Sequence, residues 1–349
     1  MKPIVFAVIV FIALGDTAQF LRAQQNQRSE AVEVLQIRPS FHMIAGAGAN
    51  IAVQVGEDGV VLVDSGSAPM SDAVLAAIKK LTDRPIRYII NTNADAEHVG
   101  GNEKISKAGQ SLFATGNLGP GGTGGGGNTL INNAGAASIV ATENVLNRMS
   151  APTGQQSPYP SAAWPTETFI RKQKNLYLNN EGIEVIALPS AHSDGDSVVF
   201  FRRSDIVATG DIFDTTRFPA IDIDKGGSIQ GEIAALNRLM DLAIPSIPLP
   251  WKEGGTQVVP GHGRICEQAE LVEYRDMVTI VRDRVQDLMK SRMTLDQIKA
   301  AAPTKGWVRR YGAESGNTFV EAIYKSLAPR APVTTTKNTA APAKNTQKK

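Results

Sequence analysis

The most constraining feature of this sequence is a set of short apolar runs that stop abruptly at acids, imidazoles and glycines. Val60 to Val63 is continuous hydrocarbon ending in Asp64-Ser65-Gly66, and Tyr88 to Asn91 runs into Asn93-Ala94-Asp95-Ala96-Glu97-His98, with Gly100-Gly101-Asn102 behind it. A short, wholly apolar run bounded by turn residues reads as a buried strand, and the ends of such strands are where α/β folds place polar chemistry. Similar runs lie at Ile51 to Val55, Ser138 to Ala141, Glu184 to Leu188, Val198 to Phe201, Ile206 to Ala208 and Gln257 to Val259, several of them beside a His or Asp. Helical spacing joins Met70, Val74, Ile78 and Leu81, then Ile229, Ile233, Leu236, Met240 and Ala243, then Leu271, Tyr274, Val278, Val281, Val285 and Leu288. The last stripe fits a core-facing helix better than a dimer seam. Strand groups closing with helices, early and again mid-chain, predict two β-then-α halves in one layered domain.

Composition limits the partners. The formal net charge is +2, and the tail from Pro329 to Lys349 supplies five positive charges and no acid, which leaves the rest at −3. A mildly acidic body is poor material for gripping a phosphate backbone, so no nucleic acid is expected as partner. One cysteine, Cys266, allows no internal disulfide. Residues 1–23 have a signal peptide's layout, with Lys2, an apolar run from Ile4 to Leu14 and small residues to Ala23. That predicts a periplasmic or secreted protein with no membrane contact once the signal is removed. Residues 329–349 read as a disordered basic tail. The glycine-rich stretch from Asn117 to Asn128 lacks the Gly-Lys-Ser/Thr of a phosphate loop and reads as a surface insertion, either a plain linker or a flap over a site.

There are four histidines, and three of them, His98, His192 and His262, follow predicted strands among small and polar residues. Asp211 closes the run from Ile206 to Gly210. Imidazoles and carboxylates gathered at one sheet edge are what a metal centre needs.

With these residues in order, the sequence resembles the metallo-β-lactamase-fold hydrolases. The family's first signature, His-x-His-x-Asp-His before Gly-Gly, aligns with Asn93-x-Asp95-x-Glu97-His98 before Gly100-Gly101. The later elements align with His192, Asp211 and His262, and Asp64 looks like the acid that supports a ligand from behind. The resemblance covers residues 35–290 and implies an α/β fold, the αββα four-layer sandwich. Residues 291–328 then form a C-terminal helical extension. Carried over by position, the resemblance implies a first half-site of Asn93, Asp95 and His192 and a second of Glu97, His98 and His262, with Asp211 bridging both and orienting the attacking water.

The departure is at Asn93, a neutral amide and a poor metal ligand, so the first half-site is expected to bind more weakly. The resemblance implies one or two divalent ions. Zinc leads, and the added carboxylates favour manganese or iron more than in the usual motif. Trp164 and Phe213 either line a substrate pocket or simply pack, and Arg217 and Lys225 are candidates for holding a substrate carboxylate. The implied activity is hydrolysis of a small-molecule ester, lactone, thioester, amide or β-lactam. The alternatives are a non-catalytic binding protein on the same fold and a di-iron redox protein.

Overall fold

The computed structural model describes residues 32–112, 135–152, 154–246 and 254–328. The signal peptide expected at 1–23, the glycine-rich insertion at 117–128 and the tail at 329–349 lie outside the described residues. Among the described residues, twelve strands form two sheets. The first has seven strands in sequence order, β1 Glu33–Arg38, β2 Phe41–Ala45, β3 Ile51–Gly56, β4 Gly59–Val63, β5 Ile86–Ile90, β6 Ser138–Thr142 and β7 Glu167–Phe169. It is antiparallel from β1 to β4 and parallel from β4 to β7. The second has five strands, β8 Gln173–Leu178, β9 Glu181–Ala187, β10 Ser197–Phe201, β11 Ile206–Ala208 and β12 Gln257–Val259, antiparallel except for the parallel pair β11 and β12.

Strand alternation sets the layers. In β4, Val61 and Val63 face the second sheet, where they meet Val185, Val199, Phe201 and Ala208. Their neighbours Val60 and Leu62 face outward against Val74 and Ile78 of helix α1 (Ser71–Leu81). Side chains at a period of two bury both faces of such a strand, which is why it reads as unbroken hydrocarbon. The outer face of the second sheet, through Val198, Val207 and Val258, packs on helices α5 (Ile229–Leu242), α6 (Gln268–Lys290) and α9 (Ala313–Leu327). The order is helix, sheet, sheet, helix, the four-layer α/β sandwich.

The stripe on α6 is core, with Leu271, Tyr274, Val278, Val281 and Val285 all buried. Residues 291–328 hold α7 (Leu295–Ala300), α8 (Val308–Tyr311) and α9, and their Ile298, Tyr311, Phe319 and Ile323 share one core cluster with the second sheet. No helix among the described residues is long and apolar enough to cross a membrane.

Glu232 on α5 is fully buried, and neither carboxylate oxygen has a hydrogen-bond partner. Burial pushes its carboxyl well above the usual range, with Asp196 adding to the effect. A raised folded-state value means that the native chain holds this proton more tightly than the unfolded chain does. Its contribution to stability is complete below the unfolded carboxyl range and is lost as pH rises toward the folded value. Glu232→Gln is therefore expected to raise the melting temperature, with a gap over the native chain that widens from pH 5 to pH 9. The widening is up to about 1.4 kcal/mol per pH unit within the titrating window. Thermal melts of both chains in chelator at several pH values measure it, and a constant or shrinking gap contradicts it.

Candidate metal centre

Every residue of the candidate site lies on a loop beyond a strand's C-terminal end or on the short turns that follow. Asp64 follows β4, Thr92 to Asp95 follow β5, Asp211 follows β11 and His262 follows β12. Glu97 and His98 stand on helix α2 (Ala96–Val99), one turn long. His192 lies in the connection from β9 to β10. Two backbone features bring the loops together. Gly210 has φ +53°, and a Cβ there would stand 2.5 Å from Thr92 Oγ1, so the turn that delivers Asp211 needs glycine. Asn50 ties the sheets at this edge, donating its N–H to Gly261 O at 2.8 Å and its Nδ2 to Pro260 O and Gly263 O at 3.0 and 2.9 Å.

The ligand atoms form two groups that share Asp211, namely Glu97, His98, Asp211 and His262, and Asp95, His192 and Asp211. Within each group the donor atoms lie within 4.8 Å of one another. His262 Nε2 is 3.0 Å from Glu97 Oε1 and 3.5 Å from Asp211 Oδ1. His192 Nε2 is 3.0 Å from Asp95 Oδ2 and 3.8 Å from Asp211 Oδ2.

The supporting contacts decide which nitrogens face inward. Asp64 accepts from His98 Nδ1 at 2.8 Å, and also from the Thr92 N–H and the Thr92 hydroxyl, each at 2.8 Å. Asp64 thus acts directly on His98, and a proton fixed on Nδ1 leaves the Nε2 lone pair for the site. His192 is held the same way, its Nδ1 donating to Ala220 O.

His98 Nε2 is the test of whether this donor set fits a metal. It is fully buried and stands 3.0 Å from Asp211 Oδ2, yet makes no hydrogen bond. A buried lone pair aimed among three other ligand atoms suits a cation.

Electrostatics point the same way. Burial alone would lower His192, but the hydrogen bond to Asp95 and the charge of Asp211 outweigh it and hold it at about 10. Against the same opposing burial, hydrogen bonds to Asp211 and Glu97 hold His262 at about 9. The charges of Asp211 and Asp64 raise the fully buried His98 well above its ordinary value. Burial works to raise Asp211, but the charge of His98 and the neighbouring His262 keep its carboxyl well below the usual range. The cluster demands positive charge, which protons supply on the bare chain and a divalent ion would supply in their place.

Asn93 takes a different place from the one its motif position implied. Its Oδ1 accepts from the Asp95 N–H at 2.9 Å, which fixes the amide orientation, so Nδ2 donates to Asp211 Oδ2 at 3.0 Å. It presents a hydrogen-bond donor to the first half-site, not a ligand atom.

The pocket candidates also move. Phe213 is buried, packed edge-to-face on Tyr274 at 5.1 Å, and Trp164 packs with Val99, Val145 and Met149 while its Nε1 donates to Tyr159 O. Phe213 is core, and Trp164 is a half-buried ring packed against a core cluster. The open cleft, of about 750 Å³, is lined by Ser67, Ala94, Asp95, Ala96, Glu97, Arg148, Pro158, Tyr159 and Lys225. Sequence reasoning missed Tyr159 and Arg148, which follow no strand end. Lys225 Nζ pairs with Asp95 Oδ1 at 2.7 Å and Asp222 Oδ2 at 3.1 Å. Arg217 holds Asp214 Oδ2 at 2.6 Å and reaches Asp211 Oδ1 at 3.3 Å and Glu97 Oε1 at 3.5 Å. Both cations are committed to the protein's own carboxylates.

Comparison with known proteins agrees with this geometry. The family model described as metallo-beta-lactamase superfamily matches residues 45–111. Among solved structures, the chain is similar to a stereoselective inverting sec-alkylsulfatase from Pseudomonas sp., with TM-score 0.58 and 13% identity over 85% of this chain and 51% of that one. A double mutant of that alkylsulfatase gives TM-score 0.58 at 12% identity over the same shares. This chain therefore spans about half the length of the alkylsulfatase. A metallo-beta-lactamase from Pontibacter korlensis gives TM-score 0.50 and 16% identity over 71% of this chain and 99% of that one. No curated protein matches. The matched segment runs from the end of β2 through the helix bearing Glu97 and His98, so that stretch resembles the metallo-β-lactamase superfamily, and the layers of the whole are those of the solved lactamase's fold.

Proposed function

We propose that this chain is an exported, metal-dependent hydrolase of a small-molecule ester, lactone, thioester, amide or β-lactam. The observation that carries the reading is His98 Nε2, buried, unpartnered and surrounded by Glu97, Asp211 and His262. The leader-like residues 1–23 support export. A divalent ion at these residues supplies Lewis acidity, polarising a carbonyl and lowering the pKa of water. Zinc suits the imidazoles, and the carboxylates also admit manganese or iron.

The chain's own groups do the rest. Asp64 and the Ala220 carbonyl fix the tautomers of His98 and His192, keeping Nε2 free to bind. Asp211 is shared by both half-sites, steadied on one oxygen by Asn93. Lys225 holds one oxygen of Asp95 and leaves the other turned toward His192. The second half-site has four ligands and the first only three, with the Asn93 amide donor facing into it. Occupancy should follow that order.

Elemental mass spectrometry of the protein after export, beside a His98→Ala, His262→Ala variant, tests the reading. The expected result is about one firmly held equivalent, lost in the variant, with further uptake only in excess metal and hydrolysis of at least one ester or lactone. No metal in the native chain under conditions that load other members of the fold, or unchanged metal in the variant, overturns it in favour of a non-catalytic fold.

A further inference from the structure

Two cations line the cleft, Arg148 and Lys225, a third, Arg217, stands beside its Glu97, and all three are already held. Arg148 grips Asp194 through two nitrogens, at 2.6 and 2.8 Å, and donates also to Lys225 O at 2.7 Å. Lys225 is shared between Asp95 and Asp222, and Arg217 is bound to Asp214 and leans on Asp211 and Glu97. Recruiting any of the cations to an anionic ligand strips a carboxylate of its partner, and for Lys225 that carboxylate is Asp95 itself. An unpaired, partly buried carboxylate is costly, so the exchange disfavours anions. The wall beyond is uncharged, made of Pro158, Tyr159 and Ser67, with the Tyr159 hydroxyl donating to Ala94 O.

We infer that the cleft selects an uncharged substrate, a neutral ester or lactone, and that a carboxylate or sulfate next to the scissile bond is discriminated against. This rests on the hydrolase reading and narrows it.

A matched pair of acetate esters, 4-acetoxybenzamide and 4-acetoxybenzoate, tests it on the metal-loaded full chain, each rate divided by that ester's own hydroxide-catalysed rate. The neutral ester is expected to be favoured by at least about tenfold in kcat/KM at low ionic strength, with the ratio shrinking as salt rises. Asp222→Asn releases Lys225 from one of its two carboxylates and is expected to narrow the ratio severalfold. Equal use of both esters, or preference for the benzoate, overturns the inference.

Binding separates this failure from failure of the hydrolase reading. Calorimetric titration with the non-labile amides 4-acetamidobenzamide and 4-acetamidobenzoate needs no turnover. Tighter binding of the neutral amide without hydrolysis of either ester keeps the inference and removes the hydrolase. Tighter binding of the anionic amide, or binding of neither, removes the inference.

Discussion

Asp211→Ala is expected to empty both half-sites at once. Its Oδ1 faces His262 and its Oδ2 faces both His98 and His192, so it reaches into both groups, and no other single ligand is common to them. Deleting a contact behind a ligand typically costs 10–100-fold in metal affinity, and deleting a shared ligand should exceed about 100-fold. Hydrolysis should fall with metal content. Equilibrium titration with zinc, read by a competing chromophoric chelator, measures the loss. Retention of native affinity would show that the two groups are not built around Asp211.

Phe319→Ala on α9 is expected to destabilise the chain by ~3–5 kcal/mol, the usual cost of removing a fully buried aromatic ring. The ring stacks on Phe218 at 5.8 Å, and Phe218 meets Tyr311 at 5.3 Å. Phe218 in turn sits between Arg217, which touches the site, and Ala220, whose carbonyl holds His192. The helices after residue 290 therefore brace the loop behind the metal ligands. Urea unfolding of metal-free protein reads the stability term, and the zinc titration reads its effect on the site. A loss below about 1 kcal/mol would mean that the C-terminal helices are dispensable.

Where strands are buried on both faces, the sequence was plain. β4, β11 and β12 are short apolar runs, and the residues just beyond each are Asp64, Asp211 and His262. β1 and β8 are edge strands that bury too little apolar surface to be read from the sequence. None of the six residues Glu33 to Arg38 is buried, and β8 buries only Leu176 and Leu178. Half-exposed edges carry too few apolar residues to announce themselves. The metal-facing residues were legible because they cluster in the chain or close a strand. Tyr159 was not, since its place over the cleft depends on how the segment after β6 returns across the sheet. The commitment of Arg217 and Lys225 had a local signal, an Asp three residues before each, Asp214 and Asp222. The role of Asn93 had none, because a motif position fixes where a side chain stands and not which end of an amide points inward.

The seam made by Asn50 has a mechanical consequence. Glu97 and His98 hang from one sheet, Asp211 and His262 from the other, and the three bonds of Asn50 are the fixed clasp between them. An ion gripping both pairs works as a second clasp across the same joint, so loading should stiffen the sandwich against sheets sliding past one another and deepen its thermal stability in proportion to how tightly it is held.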